Sequence, residues 1–197
     1  MQRFDILREQ LLELVPQNSV CAELGVGRGV YSQQILDIAK PKLHYCVDLW
    51  GIIDTDVQGT YYANQKVWDE RYADIQEQFK DYNVEFVRDY TYNLPNYVKD
   101  KALDWVYIDG DHTYDGCMKD LQAVKHLVKD DGFILGHDYR PAWKARPNWG
   151  VVESVNDFVA QNNYYLTIVT NEKHASYFIT KTQSQHEEIT ERAKQLG

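Results

Sequence analysis

Cysteine is scarce in this sequence. The 197-residue chain has three, Cys21, Cys46 and Cys117, and no CxxC pair. That pattern speaks against a disulfide framework or a zinc knuckle and fits a reducing compartment. Positive charge is also short: 21 Lys and Arg stand against 30 Asp and Glu, a net charge of −9. Such a balance disfavours a surface built to bind phosphate backbones or anionic lipid. No apolar run approaches the roughly 18 residues of a membrane span. The opening stretch MQRFDILREQLLEL has neither an apolar core nor a small-residue cleavage site, so it does not read as a signal peptide. Repeats and low-complexity tracts are missing too. The expectation is a cytoplasmic protein with no nucleic-acid or membrane partner.

What is present is ordinary globular composition, 44% hydrophobic and 26% charged, in a length close to one domain of about 150 residues. Phe4, Leu7, Leu11 and Leu14 recur at helical spacing, so residues 2–15 are predicted as an amphipathic helix ended by Pro16, within an N-terminal segment 1–18. Short apolar runs at 20–24, 43–49, 84–87, 104–108 and 133–135 read as strands. Their near-continuous hydrophobicity suits a parallel sheet covered on both faces. Helical patterns fall between them: residues 30–39, a stripe of Trp68, Tyr72, Ile75 and Phe79, and another of Cys117, Leu121, Val124 and Val128 closed by a turn at 129–132. A helix at 150–161 precedes two strands, 164–169 and 175–180, with no helix between them, and the polar tail at 181–197 is expected as a loosely held helix. This alternation predicts an α/β fold, a Rossmann-like doubly wound seven-stranded sheet, mostly parallel with an antiparallel C-terminal hairpin.

The strongest local signal is Glu23-Leu24-Gly25-Val26-Gly27-Arg28-Gly29 at the first strand-to-helix turn. Glycines there allow positive φ and close approach of a ligand to the backbone, while the helix start offers amide donors. A tight turn would use the same residues. The spacing is acid-x-G-x-G-x-G, not the G-x-G-x-x-G of dinucleotide folds. Asp48 ends the second strand, 19 residues beyond Gly29, where a carboxylate can accept both hydroxyls of a ribose. A strand-end cap for the next loop is the plainer alternative.

At this point the sequence resembles the class I S-adenosylmethionine-dependent methyltransferases. The segments YIDGDHTYDGCMKDL (107–121), DDGFILGHDY (130–139) and GVVESVNDFV (150–159) look like the group containing macrocin-type O-methyltransferases. The resemblance spans about residues 19 to 180, and it implies a single methyltransferase domain over 1–197 with S-adenosylmethionine as cofactor. By that resemblance Glu23, Gly25 and Gly27, with Gly29 beside them, would line the methionine end of the cofactor, and Asp48 would hold its ribose. Asp89 matches the position near the adenine amino group, Tyr90 would pack on the ring, and Trp50 would wall the nucleoside.

The acceptor side is expected around Asp109, Asp111, His112, His137 and Asp138, at the ends of neighbouring strands. Three readings stay open. Metal-dependent relatives hold Mg2+ at the positions of Asp109, His137 and Asp138, although here position 137 is His and not an acid. Alternatively His112 or His137 is a general base near neutral pH, with His137 and Asp138 as an oriented pair. In the third reading these groups only position the cofactor, alignment supplying the acceleration. Behind the last of these strands, Arg140, Lys144, Arg146, Trp143 and Trp149 fall within ten positions, which suggests an anionic acceptor or a solvated loop. The overall expectation is methyl transfer to a small-molecule hydroxyl, in a chain able to dimerise through its N-terminal helix. An NAD-type oxidoreductase and a non-catalytic nucleoside-binding module are the alternatives.

Overall fold

The computed structural model describes residues 3–51, 64–140 and 148–197. Residues 54–59, whose polar sequence predicts a loop, and the basic-segment residues Trp143, Lys144 and Arg146 lie outside the described residues.

Among the described residues eight strands form one sheet: β1 (Arg3–Phe4), β2 (Val20–Leu24), β3 (Leu43–Asp48), β4 (Val84–Arg88), β5 (Leu103–Ile108), β6 (Val128–Gly136), β7 (Tyr165–Thr170) and β8 (Tyr177–Thr180). Their order is β1-β7-β8-β6-β5-β2-β3-β4. All neighbours are parallel except where β8 runs antiparallel to β6 and β7. This is the expected doubly wound sheet with one strand more than predicted. The helices are α1 (Val30–Gln34, continued by a π-helical turn Ile35–Ala39), α2 (Gln65–Gln78), α3 (Tyr114–Leu127), α4 (Val151–Asn162) and α5 (Gln183–Lys194).

Successive side chains on a strand face opposite ways, and β5 shows why its apolar run had to be continuous. Val106 and Ile108 pack toward α3 and α4, against Leu121, Val124, Val155 and Phe158. Trp105 and Tyr107 pack on the other face with Tyr31, Ile35, Ile189 and Ala193. A third cluster joins α2 to the glycine turn through Val26, Trp50, Trp68, Ile75 and Phe79.

Three expectations are corrected. Residues 2–15 are not one α-helix: they form edge strand β1 and a 3-10 helix, Arg8–Glu13. Phe4 and Ile6 are buried while Arg3, Asp5 and Leu7 are exposed, a period of two that pairs with β7 and covers the sheet edge. Residues 129–132 are no separate turn, since α3 runs straight into β6. Between Leu103↔Val128 and Trp105↔Phe133, two steps on β5 match five on β6, so the polar residues bulge out of a continuing strand. The tail is firmly held: α5 starts at a Thr182–Gln185 capping box and buries Ile189 and Ala193.

Candidate active site

β2 has β3 on one side and β5 on the other, so the chain reverses its direction of winding between β2 and β5. Ligands of open α/β sheets bind at the carboxyl ends of the strands at such a switch. The glycine turn leaves β2 at this place. Gly25 sits at φ +92°, donates its N–H to the Val47 carbonyl at 2.8 Å, and has no room for a side chain: a Cβ would stand 2.1 Å from the Asp109 carbonyl oxygen. Gly27, at φ +58°, is different. Nothing lies within 4 Å of its Cβ direction, so the turn presents bare backbone to open space there.

Asp48 ties the turn down. Its Oδ2 accepts the Gly27 N–H at 2.9 Å and its Oδ1 accepts the Trp50 N–H at 2.8 Å. Each carboxylate oxygen keeps a second lone pair for a ligand hydroxyl.

Glu23, Gly29 and Trp50 are not on the open face where the resemblance would put them. Glu23 is 1% exposed. It accepts the Ser32 hydroxyl beneath the turn and lies 3.4 Å from His44 Nε2. Burial raises its pKa despite both partners. Gly29 starts α1, and a Cβ there would meet the Phe79 ring at 3.0 Å. Trp50 is 0% exposed; its indole donates to the Gly27 carbonyl at 3.2 Å and packs on Tyr72 with ring centres 4.8 Å apart. Strand-end and turn residues of this sheet face either the ligand or the packed interior, and no sequence spacing says which.

At the end of β4, Asp89 accepts hydrogen bonds from the Tyr90 N–H (2.7 Å), Asn93 Nδ2 (2.9 Å) and the Tyr97 hydroxyl (3.0 Å). These donors, Asn93 foremost, hold its pKa below the usual carboxylate range. Tyr90 is 40% exposed and stacked on Tyr92.

The acid–imidazole group does assemble. Asp109 follows β5, and His137 and Asp138 follow β6; the His137 N–H bonded to the Ile108 carbonyl at 2.9 Å keeps the two ends level. His112 Nε2 lies 3.3 Å from Asp109 Oδ1 and 3.2 Å from Asp138 Oδ2. His137 Nδ1 is 3.5 Å from Asp109 Oδ2 and from Asp138 Oδ2. Burial alone would lower the imidazoles, but hydrogen bonds and charge from the two carboxylates outweigh it and push both up to about 9. Burial likewise opposes ionisation of Asp109 and Asp138, yet the imidazoles hold both carboxyls below their ordinary value. At neutral pH this is a charge-balanced quartet, not a pair of imidazoles titrating near 7. Asp111 stands apart: its Oδ1 accepts the Thr113 N–H at 2.8 Å at the start of α3.

One ligand atom each from Asp109, His137 and Asp138 lie within 4.8 Å of one another. The set does not fit magnesium well. One member is a nitrogen, and both carboxylates are already engaged by imidazolium, whereas Mg2+ selects oxygen donors in an octahedron.

His174 and Asp120 carry no sequence signal of their own, whereas Trp149 comes from the basic segment after β6 that the sequence marks. His174, in the hairpin between β7 and β8, places Nδ1 2.8 Å from Asp138 Oδ1. Trp149 lies flat against His112, ring centres 4.3 Å apart, and donates to the Asp138 carbonyl at 3.3 Å. Asp120 of α3 is buried with Oδ1 accepting the Thr91 hydroxyl at 2.6 Å, and burial raises it to about 7. His174 was reachable only by knowing that the terminal hairpin returns to the carboxyl edge.

A family model described as a methyltransferase domain matches residues 22–139. No curated protein matches the sequence. Among solved structures, Aeropyrum pernix fibrillarin with natively bound S-adenosyl-L-methionine superposes with a TM-score of 0.62 at 14% identity, covering 87% of this chain and 73% of that one. SMU.1697c of Streptococcus mutans, an inferred methyltransferase in complex with SAH, gives 0.60 at 15% identity, covering 91% and 98%. An rRNA methylase from Streptococcus thermophilus gives 0.60 at 13%, covering 93% and 99%. Identities this low show a shared fold.

Proposed function

Because the chain belongs to the methyltransferase domain family, we propose that it transfers the methyl group of S-adenosylmethionine to a hydroxyl of a small molecule. One observation carries the reading: at the sheet's switch point the glycine turn packs on the Asp109 backbone through Gly25 and presents bare backbone, tied to Asp48, at Gly27. When bound, the cofactor supplies a methyl group on a positively charged sulfur. Gly25 and Gly27 give it a side-chain-free cradle, Asp48 holds the ribose, and Asp89 with Tyr90 borders the adenine. Fold does not set the acceptor, and the rRNA methylase is a reminder of that. The net charge of −9 favours a small acceptor over nucleic acid.

His137 or His112 receives the acceptor's proton in this reading, and Asp109 and Asp138 hold the resulting imidazolium. No step is routed through a metal, so chelator should leave turnover unchanged. Only neutral imidazole accepts a proton. With both groups at about 9, kcat/KM should rise roughly tenfold per pH unit from 7 and level off near 9. A profile flat over that range would remove the base role and leave positioning alone.

Calorimetric titration with S-adenosylhomocysteine tests the cofactor reading. Native protein should bind at about micromolar Kd, and Asp48→Ala should weaken binding roughly a hundredfold, through loss of charge-assisted hydrogen bonds to ribose and to Gly27. Asp48→Asn, which retains one acceptor, should fall between. Unchanged affinity in Asp48→Ala would remove the ribose assignment.

A further inference from the structure

Beyond the acid–imidazole quartet, on the same edge of the sheet, lies a cavity of about 530 Å3 whose lining includes Arg3, Tyr139, Arg140, Asn171, Glu172 and Lys173. The topology explains its position. β8 runs antiparallel to β6 and pairs Tyr177 with Gly136, so the hairpin after β7 emerges at the carboxyl edge. β1 pairs Phe4 with Thr170 and brings Arg3 to the same place.

Its chemistry is cationic in an acidic protein. Arg3 is fixed by a hydrogen bond from Nη1 to the Thr170 carbonyl at 3.0 Å. Arg140 leans on the Trp149 ring at 4.8 Å, and its Nε is buried without a hydrogen-bond acceptor. Arg140 is ion-paired with Asp138 Oδ1 at 3.5 Å, an oxygen that His174 Nδ1 also approaches at 2.8 Å, and its Nη1 lies 3.4 Å from His174 Nε2. Glu172, an acid of the lining, accepts the Thr170 hydroxyl at 2.9 Å. Lys173 is exposed beside them. A cavity of this size is right for a small ligand, and a guanidinium with an idle donor is matched by the paired oxygens of an anion.

We propose that this cavity is the anchoring end of the acceptor site, taking a carboxylate or phosphate carried by the molecule to be methylated. Its role as an acceptor subsite rests on the methyltransferase reading above. Asp138 joins the two halves, bonded on one side to the quartet and facing Arg140 on the other. An acceptor held by its anion here would present its body toward His137 and His112.

The test uses the full chain labelled with 15N, titrated with sodium phosphate and separately with sodium acetate at constant ionic strength in chloride. The readout is the Nε–H resonance of Arg140, identified by its loss in Arg140→Lys. A saturating shift is expected in at least one arm, and the arm that saturates names the anion. Arg3→Gln and Lys173→Gln should each weaken that binding roughly tenfold with unchanged affinity for S-adenosylhomocysteine. Shifts that stay linear in both arms overturn the proposal, as does equal affinity in both variants. Calorimetry on the same samples separates the two readings. Anion binding without S-adenosylhomocysteine binding overturns the acceptor role, whereas the reverse keeps the methyltransferase reading and removes the anion site.

Discussion

Gly25→Ala is expected to abolish S-adenosylhomocysteine binding and to cost about 3–5 kcal/mol of stability, at the top of the range for single substitutions. Two effects add. At φ +92° an alanine is strained by about 1–2 kcal/mol. Its methyl group would also stand 2.1 Å from the Asp109 carbonyl oxygen and 2.9 Å from the Gly110 nitrogen. Those neighbours are backbone, so they cannot rotate away. Either the glycine turn or the end of β5 must shift, and the second option carries Asp109 with it. Urea unfolding and calorimetry measure the two losses. Gly27→Ala is the matched control, since its Cβ meets nothing within 4 Å. It should cost only about 1 kcal/mol yet still weaken ligand binding, because the methyl group occupies the cradle. Native stability and affinity in Gly25→Ala would show that the turn does not depend on this close approach.

Asp138→Asn should have the second largest effect. Asp138 is the hub of the quartet, within 3.5 Å of His112, His137, His174 and Arg140. Its backbone is left-handed at φ +57°, a conformation asparagine accepts. The substitution therefore removes charge and little else. Three imidazoles and a guanidinium lose their shared carboxylate, and leaving such partners uncompensated costs about 3–5 kcal/mol.

The pH dependence gives this prediction a sign. His112 and His137 are raised from 6.5 to about 9 on folding. Their contribution is fully present below pH 6.5 and is lost as pH rises through 9. Asp138 is lowered from 3.8, so its contribution is present above that value and lost as pH falls below it. Native protein should lose melting temperature between pH 7 and 9, and Asp138→Asn should lose much less over that interval. The gap between the two should be widest near pH 4 to 6.5 and narrow toward 9. Parallel melting curves across that whole range would mean that the carboxylate does not hold the imidazoles. In activity, the alkaline rise of the variant should move to lower pH.

Much of this molecule is written locally. A strand covered on both faces needs an unbroken apolar run, so β2, β3 and β5 were visible within a residue or two. The acid-x-G-x-G-x-G turn was visible because positive φ at a close approach admits little but glycine. Asp109, His137 and Asp138 follow two strands that read as neighbours, which is enough to bring them together. The edge strand β1 escapes a sequence reading because the alternation of Phe4 and Ile6 is too short to outweigh the helical spacing of Phe4, Leu7, Leu11 and Leu14. Only the available partner, the free edge of β7, decides between them.

Side-chain direction at the strand ends was the other thing the sequence withheld. Glu23 and Trp50 flank the glycine turn as a ligand wall would, yet both are buried, held by Ser32 and His44 and by Tyr72. The titration of His112 and His137 is likewise a tertiary property, set by two carboxylates from separate strands that lie within 3.5 Å of them. Arg3 and His174 reach the same edge from opposite ends of the chain, 171 positions apart. The sequence by itself determined the alternation of elements, the turn that needs glycine and the acids that end strands, because each follows from the preferences of a few consecutive residues. The tertiary structure decided which of those residues meet open space, what charge the imidazoles carry and which distant cations join them, because those depend on strand order and on the neighbours it supplies.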